Sequence, residues 1–296
     1  MSEIHKSGYV HMFGNPNVGK SSIVQAICGE KLAIISERPQ TTRHRIFVIY
    51  NDERHQAVFS DAPGLIREPM YKLQERMNSL VYSGLRDADL ILLCTTPDEA
   101  VDEEKLKVIT KIPIPAFLVI NKIDLYNDLF VNNSIKKWTD VHSFKQVIKV
   151  SALTKQGIDV LKNSVLELLP EGPAYFPKDE LSDRQEKFFV SELIRETIFE
   201  SYHDEIPYSS EVQVVEFKET TKDAKPFAKI HVYIFVERDS QKAIILGHEG
   251  KSIKELGIKS RQKIESFLGY SVYLDLQVKT EKNWRNNPDI LKKFGY

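Results

Sequence analysis

The chain has 296 residues, of which 42% are hydrophobic and 28% charged, with a formal net charge of −1. That balance suits two domains of ordinary size with buried cores and excludes a low-complexity or disordered chain. No apolar run approaches the roughly 20 residues of a membrane span. Met1-Ser2-Glu3-Ile4-His5-Lys6 lacks the apolar stretch of a signal peptide, so a cytoplasmic location is expected. Cys28 and Cys94 lie in apolar segments and are expected to be buried thiols rather than a disulfide.

In chain order, Tyr9-Val10-His11-Met12-Phe13 predicts a buried strand, and Ile23, Val24 and Ile27 predict a helix after it. Between them stands Gly14-Asn15-Pro16-Asn17-Val18-Gly19-Lys20-Ser21-Ser22. It fits Gly-x-x-x-x-Gly-Lys-[Ser/Thr], the phosphate loop, in the strand–turn–helix setting that motif needs. A helix N-terminus offers a polyphosphate unpaired N–H donors and a partial positive charge. Gly14 and Gly19 allow the backbone to turn those donors inward. Lys20 is expected to reach the outer phosphates, and the Ser21 hydroxyl to ligate Mg²⁺. The polar, proline-broken stretch 37–43 is expected to be a mobile loop.

Residues 45–50 and 56–60 read as strands, the second ending in Asp61-Ala62-Pro63-Gly64-Leu65. A helix is expected over 72–85, followed by a strand over 90–95 and a charged helix over 99–111. Strand 116–120 ends in Asn121-Lys122-Ile123-Asp124, strand 147–150 ends in Ser151-Ala152-Leu153, and 158–168 is an amphipathic helix. Short apolar strands between helices predict an α/β domain with a mostly parallel sheet, its ligands at the carboxyl ends of the strands. Three prolines and a glycine within 169–177 predict a stiff linker.

The remainder reads as a smaller α+β domain. It has a helix over 184–203, strands over 211–218 and 229–236 joined by a polar loop, and a short helix over 241–246. The turn Gly247-His248-Glu249-Gly250, a helix over 252–268 and a strand over 270–278 complete it. The expected domains are thus 1–170 and 183–296, with 171–182 as the linker.

Asn121-Lys122-Ile123-Asp124 bears on which nucleotide is bound. Guanine presents two adjacent donors, N1–H and N2–H₂, and a carboxylate such as Asp124 can accept from both. Adenine has no hydrogen at N1 and would leave a buried carboxylate unsatisfied. The Lys122 stem would cover the base, Asn121 would tie the base loop to the phosphate loop, and a backbone N–H at Ser151-Ala152 could meet guanine O6. From Arg238 to Tyr296 there are twelve Lys or Arg against seven Asp or Glu, a basic region that points to a polyanionic partner.

The spacing of Gly14–Ser21, Thr42, Asp61-Ala62-Pro63-Gly64, Asn121–Asp124 and Ser151-Ala152 resembles that of the translation-factor-related GTPases over about the first 170 residues. The resemblance implies that Thr42 completes Mg²⁺ coordination, with Thr41 the neighbouring candidate, and that Asp61 holds the ion through water. It implies a contact from the Gly64 N–H to the γ-phosphate, and loops at 37–43 and 61–70 that order with GTP. Leu65 stands where many GTPases carry a water-orienting glutamine. Asn17 stands where related GTPases hold a K⁺ ion, so K⁺ is expected there.

The second domain has the element order of the bacterial-type, or type II, KH domain. That resemblance implies RNA contacts at Gly247, His248, Gly250, Lys251 and Lys254, with Glu249 a departure because an acid there repels phosphate. Together with Pro39-Gln40-Thr41-Thr42-Arg43-His44-Arg45 and Lys282-Asn283-Trp284-Arg285, the whole chain resembles the Era-type GTPases of bacterial ribosome assembly. That resemblance implies a monomeric, slowly hydrolysing GTP/GDP switch. It would bind the single-stranded 3′ end of small-subunit (16S) rRNA and assist 30S subunit assembly in the cytoplasm. The alternative is a regulatory GTPase peripheral to the inner face of the membrane, acting through protein partners in cell-cycle control. No lipidation motif accompanies the basic tail.

Overall fold

The structure, a computed structural model, describes residues 5–29 and 41–296. Most of the loop expected over 37–43 therefore lies outside the described residues. By contacts the chain forms two compact units. The first comprises Met1–Glu68 and Arg76–Asp183, the second Pro69–Glu75 and Arg184–Tyr296.

The first unit alternates strands and helices: β1 (Lys6–Gly14), α1 (Lys20–Cys28), β2 (Ile46–Asn51), β3 (His55–Asp61), α2 (Lys72–Arg86, of which the part from Arg76 on belongs to this unit) and β4 (Leu90–Thr95). It continues through α3 (Glu103–Thr110), β5 (Ala116–Ile120), α4 (Asp128–Val141), β6 (Gln146–Lys149) and α5 (Ile158–Leu168). Among the described residues the sheet order is β2-β3-β1-β4-β5-β6. All neighbouring pairs are parallel except β2 with β3. Strands β4 and β5 are buried at every position, as a sheet covered on both faces requires. Leu93, Leu118 and Ile120 pack with Val81, Leu106 and Trp138. Each fully buried aliphatic side chain of this kind contributes about 1.5–3 kcal/mol.

Helix α4 departs from the sequence reading. It falls in a stretch where periodicity gave no helix, because Leu129, Phe130 and Val141 are exposed while Val131, Ser134 and Trp138 are buried. Val131, Ile135 and Trp138 do recur at helical spacing and pack on the core, but the exposed apolar residues blur that stripe. The proline-rich stretch after α5, expected as a stiff linker, runs along the first unit and is held there by hydrogen bonds. Ser7 N–H donates to the Pro170 carbonyl at 3.0 Å, and Gln56 Oε1 accepts from the Tyr175 and Phe176 amides at 2.6 and 3.0 Å. Tyr175 also stacks on Tyr9 with ring centroids 5.0 Å apart.

The second unit holds α6 (Glu186–Ser201), α7 (Ile206–Ser209), β7 (Glu211–Lys222), β8 (Lys225–Val236), α8 (Asp239–Leu246), α9 (Lys251–Leu268), β9 (Ser271–Thr280) and α10 (Pro288–Lys293). Its sheet order is β7-β8-β9, with β7 and β8 antiparallel and β8 and β9 parallel. One face, including Ile230, Val232 and Ile234, packs on Ile194 and Ile198 of α6 and on Leu256 and Ile264 of α9. The polar stretch expected as a loop over 219–226 is instead mostly strand. The hairpin turns at Asp223-Ala224, both at positive φ, which matches the twist of the flanking strands.

Candidate nucleotide site and nucleic-acid groove

The carboxyl ends of the parallel strands bring the sequence motifs of the first unit together. Strand β1 ends at Gly14, β3 at Asp61 and β5 at Ile120, next to Asn121, and Ser151 lies just beyond β6. The phosphate loop crosses from β1 to α1 through Asn17, at φ +66°, and Gly19, at φ +92°. A Cβ on Gly19 would lie 2.2 Å from Asn121 Nδ2, so only glycine lets the two loops meet. That Nδ2 donates to the Val18 carbonyl at 2.8 Å, while Asn121 Oδ1 accepts from the Ala152 N–H at 3.1 Å. Asn121 is buried and joins three loops. Of the two N–H groups of Ser151-Ala152, one of which was expected toward guanine O6, that of Ala152 is engaged by Asn121 and that of Ser151 by the Gln156 carbonyl at 2.9 Å. Lys122 adopts a left-handed backbone, and Asp124 is exposed in the 3-10 turn Ile123–Leu125.

At the phosphate end, Lys20 Nζ donates to the Asn15 carbonyl at 2.9 Å and to the Gly14 carbonyl at 3.2 Å. Its pKa is lowered, chiefly by burial, against the opposing pull of Asp61. Ser21 Oγ donates to Asp61 Oδ2 at 2.6 Å and lies 3.3 Å from Thr42 Oγ1. The three oxygens expected around Mg²⁺ are therefore adjacent, while Thr41 is buried beside them in sequence. Asp61 Oδ1 is buried with no hydrogen-bond partner among the described residues. Burial pushes its carboxyl up to about 6, against the hydrogen bond from Ser21. An all-oxygen donor set with an orphaned carboxylate oxygen fits a hard divalent cation. Gly64 adjoins the phosphate loop, since a Cβ on it would come 2.5 Å from Pro16 N. The following residues are fixed by Asn78, which accepts from the Ile66 N–H at 2.9 Å and donates to the Ile66 carbonyl at 2.7 Å. Leu65 packs against the core of the unit.

In the second unit the turn between α8 and α9 is exposed. Gly250 has φ +75° with open space where a Cβ would be, so another chain's backbone can approach it closely. Tyr202 supports the turn from below, its hydroxyl donating to the Ile245 carbonyl at 3.2 Å and lying 2.8 Å from Ser252 Oγ. Glu249 Oε2 lies 3.7 Å from both His248 Nδ1 and Lys251 Nζ, so flanking basic groups offset the acid that departs from the pattern. Beyond the turn a cleft of about 750 Å³ runs between α9 and β9. Ile253, Lys254, Ile258 and Arg261 line one wall, and Tyr273 and Leu276 the other.

Two family models match. Residues 9–122 fit a family described as 50S ribosome-binding GTPase, and residues 205–285 fit the KH domain. GTPase Era from Thermoanaerobacter sp. (strain X514) is 40% identical over 99% of this chain and 97% of its own length. The chloroplastic GTPase ERA1 of Zea mays is 42% identical over 99% of this chain and 71% of its own. The chain belongs to the Era GTPase family. Two solved Era structures superpose on essentially the whole chain. Era in complex with MgGDPNP and nucleotides 1506–1542 of 16S ribosomal RNA has a TM-score of 0.93 at 34% identity, covering 99% of each chain. A single-residue variant of Aquifex aeolicus Era bound to GDP.AlF4- has a TM-score of 0.92 at 33% identity, covering 98% of this chain and 99% of that one.

Some residues of this Era-family chain escaped sequence reasoning. Arg261 and Tyr273 carry no motif, and only the packing of α9 beside β9 places them in one cleft. Glu99 and Lys105 are in the same position: they sit on what reads as an ordinary charged helix, yet both bond to Asn15 of the phosphate loop. Among the described residues no helix is long and apolar enough to cross a membrane.

Proposed function

We propose that the protein is a GTP-hydrolysing switch that binds small-subunit rRNA near its 3′ end and assists 30S subunit assembly. The observation that carries this reading is the full-length match to an Era structure holding MgGDPNP and 16S rRNA nucleotides, spanning both the nucleotide motifs and the Gly247–Gly250 turn.

In this reading the γ-phosphate replaces the Gly14 and Asn15 carbonyls as the partner of Lys20, and the N-terminus of α1 holds the β-phosphate. Ser21, Thr42 and, through water, Asp61 would hold Mg²⁺, which would supply positive charge against the phosphates. Asp124 accepts from guanine N1–H and N2–H₂, with Lys122 over the base. Leu65 cannot orient a water by hydrogen bonding, so intrinsic hydrolysis is slow. Asn17 would hold K⁺, whose charge would compensate in part. In the second unit, single-stranded RNA lays its backbone on Gly247, His248, Gly250, Lys251 and Lys254, with bases turned into the cleft between α9 and β9.

Crosslinking to RNA in cells, with and without Gly250→Asp, tests the RNA arm. An acid at that turn should abolish the crosslink to small-subunit rRNA, and a signal that survives sinks the assignment. Competition of GTP against ATP for the purified protein tests the nucleotide arm separately.

A further inference from the structure

A buried polar cluster lies behind the phosphate loop, outside the direct phosphate contacts. At its centre is Lys105 of α3, whose side chain is 3% exposed. Its Nζ donates to Asp102 Oδ2 at 2.6 Å and to Asn15 Oδ1. Asn15 Nδ2 donates to Glu99 Oε1 at 2.8 Å, and Glu99 Oε2 accepts from Thr95 Oγ1 at 2.7 Å. Asp102 Oδ2 also accepts from Arg67 Nη2 at 2.9 Å. Arg67 is otherwise 73% exposed and stands three residues after Gly64.

One ammonium thus touches both the second residue of the phosphate loop and the carboxylate that holds the loop after Gly64. The Asn15 carbonyl, in turn, is the closer acceptor of Lys20 Nζ. Starting α3 does not require this arrangement. Asp102 alone caps the helix, accepting from the Lys105 N–H at 3.3 Å. A buried ammonium is costly and an apolar side chain of similar volume packs more cheaply, so a helix start gives no reason to place a lysine there.

We propose that Lys105 and Asp102 act as a coupling pair between the phosphate loop and the loop after Gly64. A change at Asn15 when the nucleotide changes is transmitted through Lys105 and Asp102 to Arg67, and the reverse. Lys105 is a positioning residue here and makes no substrate contact. The inference rests on the proposed GTP site, because it needs a nucleotide at the phosphate loop to act on.

The test is a double-mutant cycle on kcat and KM for GTP hydrolysis by the full-length protein. Asn15→Ala and Arg67→Ala are measured singly and together, first in the wild-type background and then with Lys105→Met. In the wild-type background the combined effect on kcat should depart from the product of the single effects by about threefold or more. With Lys105→Met the two effects should simply multiply. A merely structural lysine would lower stability without changing whether the effects multiply. If Lys105→Met does not fold, Lys105→Met with Asp102→Asn removes both charges, keeps a helix-capping residue and should likewise abolish the coupling. Effects that multiply in the wild-type background overturn the proposal, as does a coupling that persists without Lys105. Wild-type protein that neither binds nor hydrolyses GTP would instead refute the underlying nucleotide reading.

Discussion

Asn121→Ala cuts the joint between the phosphate loop and the guanine side of the site. The side chain is 2% exposed, and its loss leaves the Val18 carbonyl and the Ala152 N–H without their partner. An unsatisfied buried backbone group costs about 1–3 kcal/mol, so two such groups and a small void total roughly 2–4 kcal/mol after some rehydration. That is a large part of a typical domain stability of about 5–15 kcal/mol. Trp138 and Trp284 are both buried, one in each unit, so Trp138 fluorescence in a Trp284→Phe background reports urea unfolding of the first unit alone. The nucleotide-free variant should unfold at clearly lower urea with an unchanged slope. Affinities for GTP and GDP should fall together, by about 10- to 100-fold if 1.4–2.8 kcal/mol of the organisation is needed for binding. Asn121→Asp should fare no better, since it keeps the acceptor for Ala152 but sets an oxygen against the Val18 carbonyl. If Asn121→Ala unfolds at the wild-type urea concentration without nucleotide, the reasoning fails.

Asp124→Asn replaces one of two acceptors by a donor. It should weaken GTP binding by at least about 100-fold while improving xanthosine triphosphate, whose C2 oxygen accepts, and competition binding reads both. His11 is buried beside Ser60, and desolvation, reinforced by Arg45 and Lys20, lowers its pKa to about 3. The unfolded chain takes up that proton near pH 6.5 and the folded chain does not, so the contribution is complete above pH 6.5 and lost as pH falls toward 3. Between pH 6.5 and 5 the loss is about 1.6 kcal/mol, and below about pH 6 the pH slope of unfolding free energy should flatten by close to one proton in His11→Gln. An unchanged slope would show that His11 is not the group responsible. GTP hydrolysis should run faster in K⁺ than in Na⁺, and Asn17→Ala should erase the difference. Equal wild-type rates in the two salts would exclude a K⁺ role.

The phosphate loop, the strand-end motifs and the two-domain order were legible in the sequence because each depends on neighbours within a few residues. A loop between a strand and a helix needs glycines, and a buried strand needs an unbroken apolar run such as residues 90–95. Helix α4 was not read, because its exposed Leu129 and Phe130 mask the helical stripe of Val131, Ile135 and Trp138. Nor was the start of α3. The sequence placed it at Glu99, whereas Asp102 caps it at Glu103 and leaves Glu99 to hold Asn15. By itself the sequence determined which backbone turns and local charges this protein has. The motifs already implied that Asn121 meets the phosphate loop and Asp61 meets Ser21, but the tertiary structure alone decided that Lys105 meets Asn15 and that Arg261 stands across from Tyr273. The physical reason is that a parallel sheet joins residues a hundred positions apart through strand order, which no local pattern encodes.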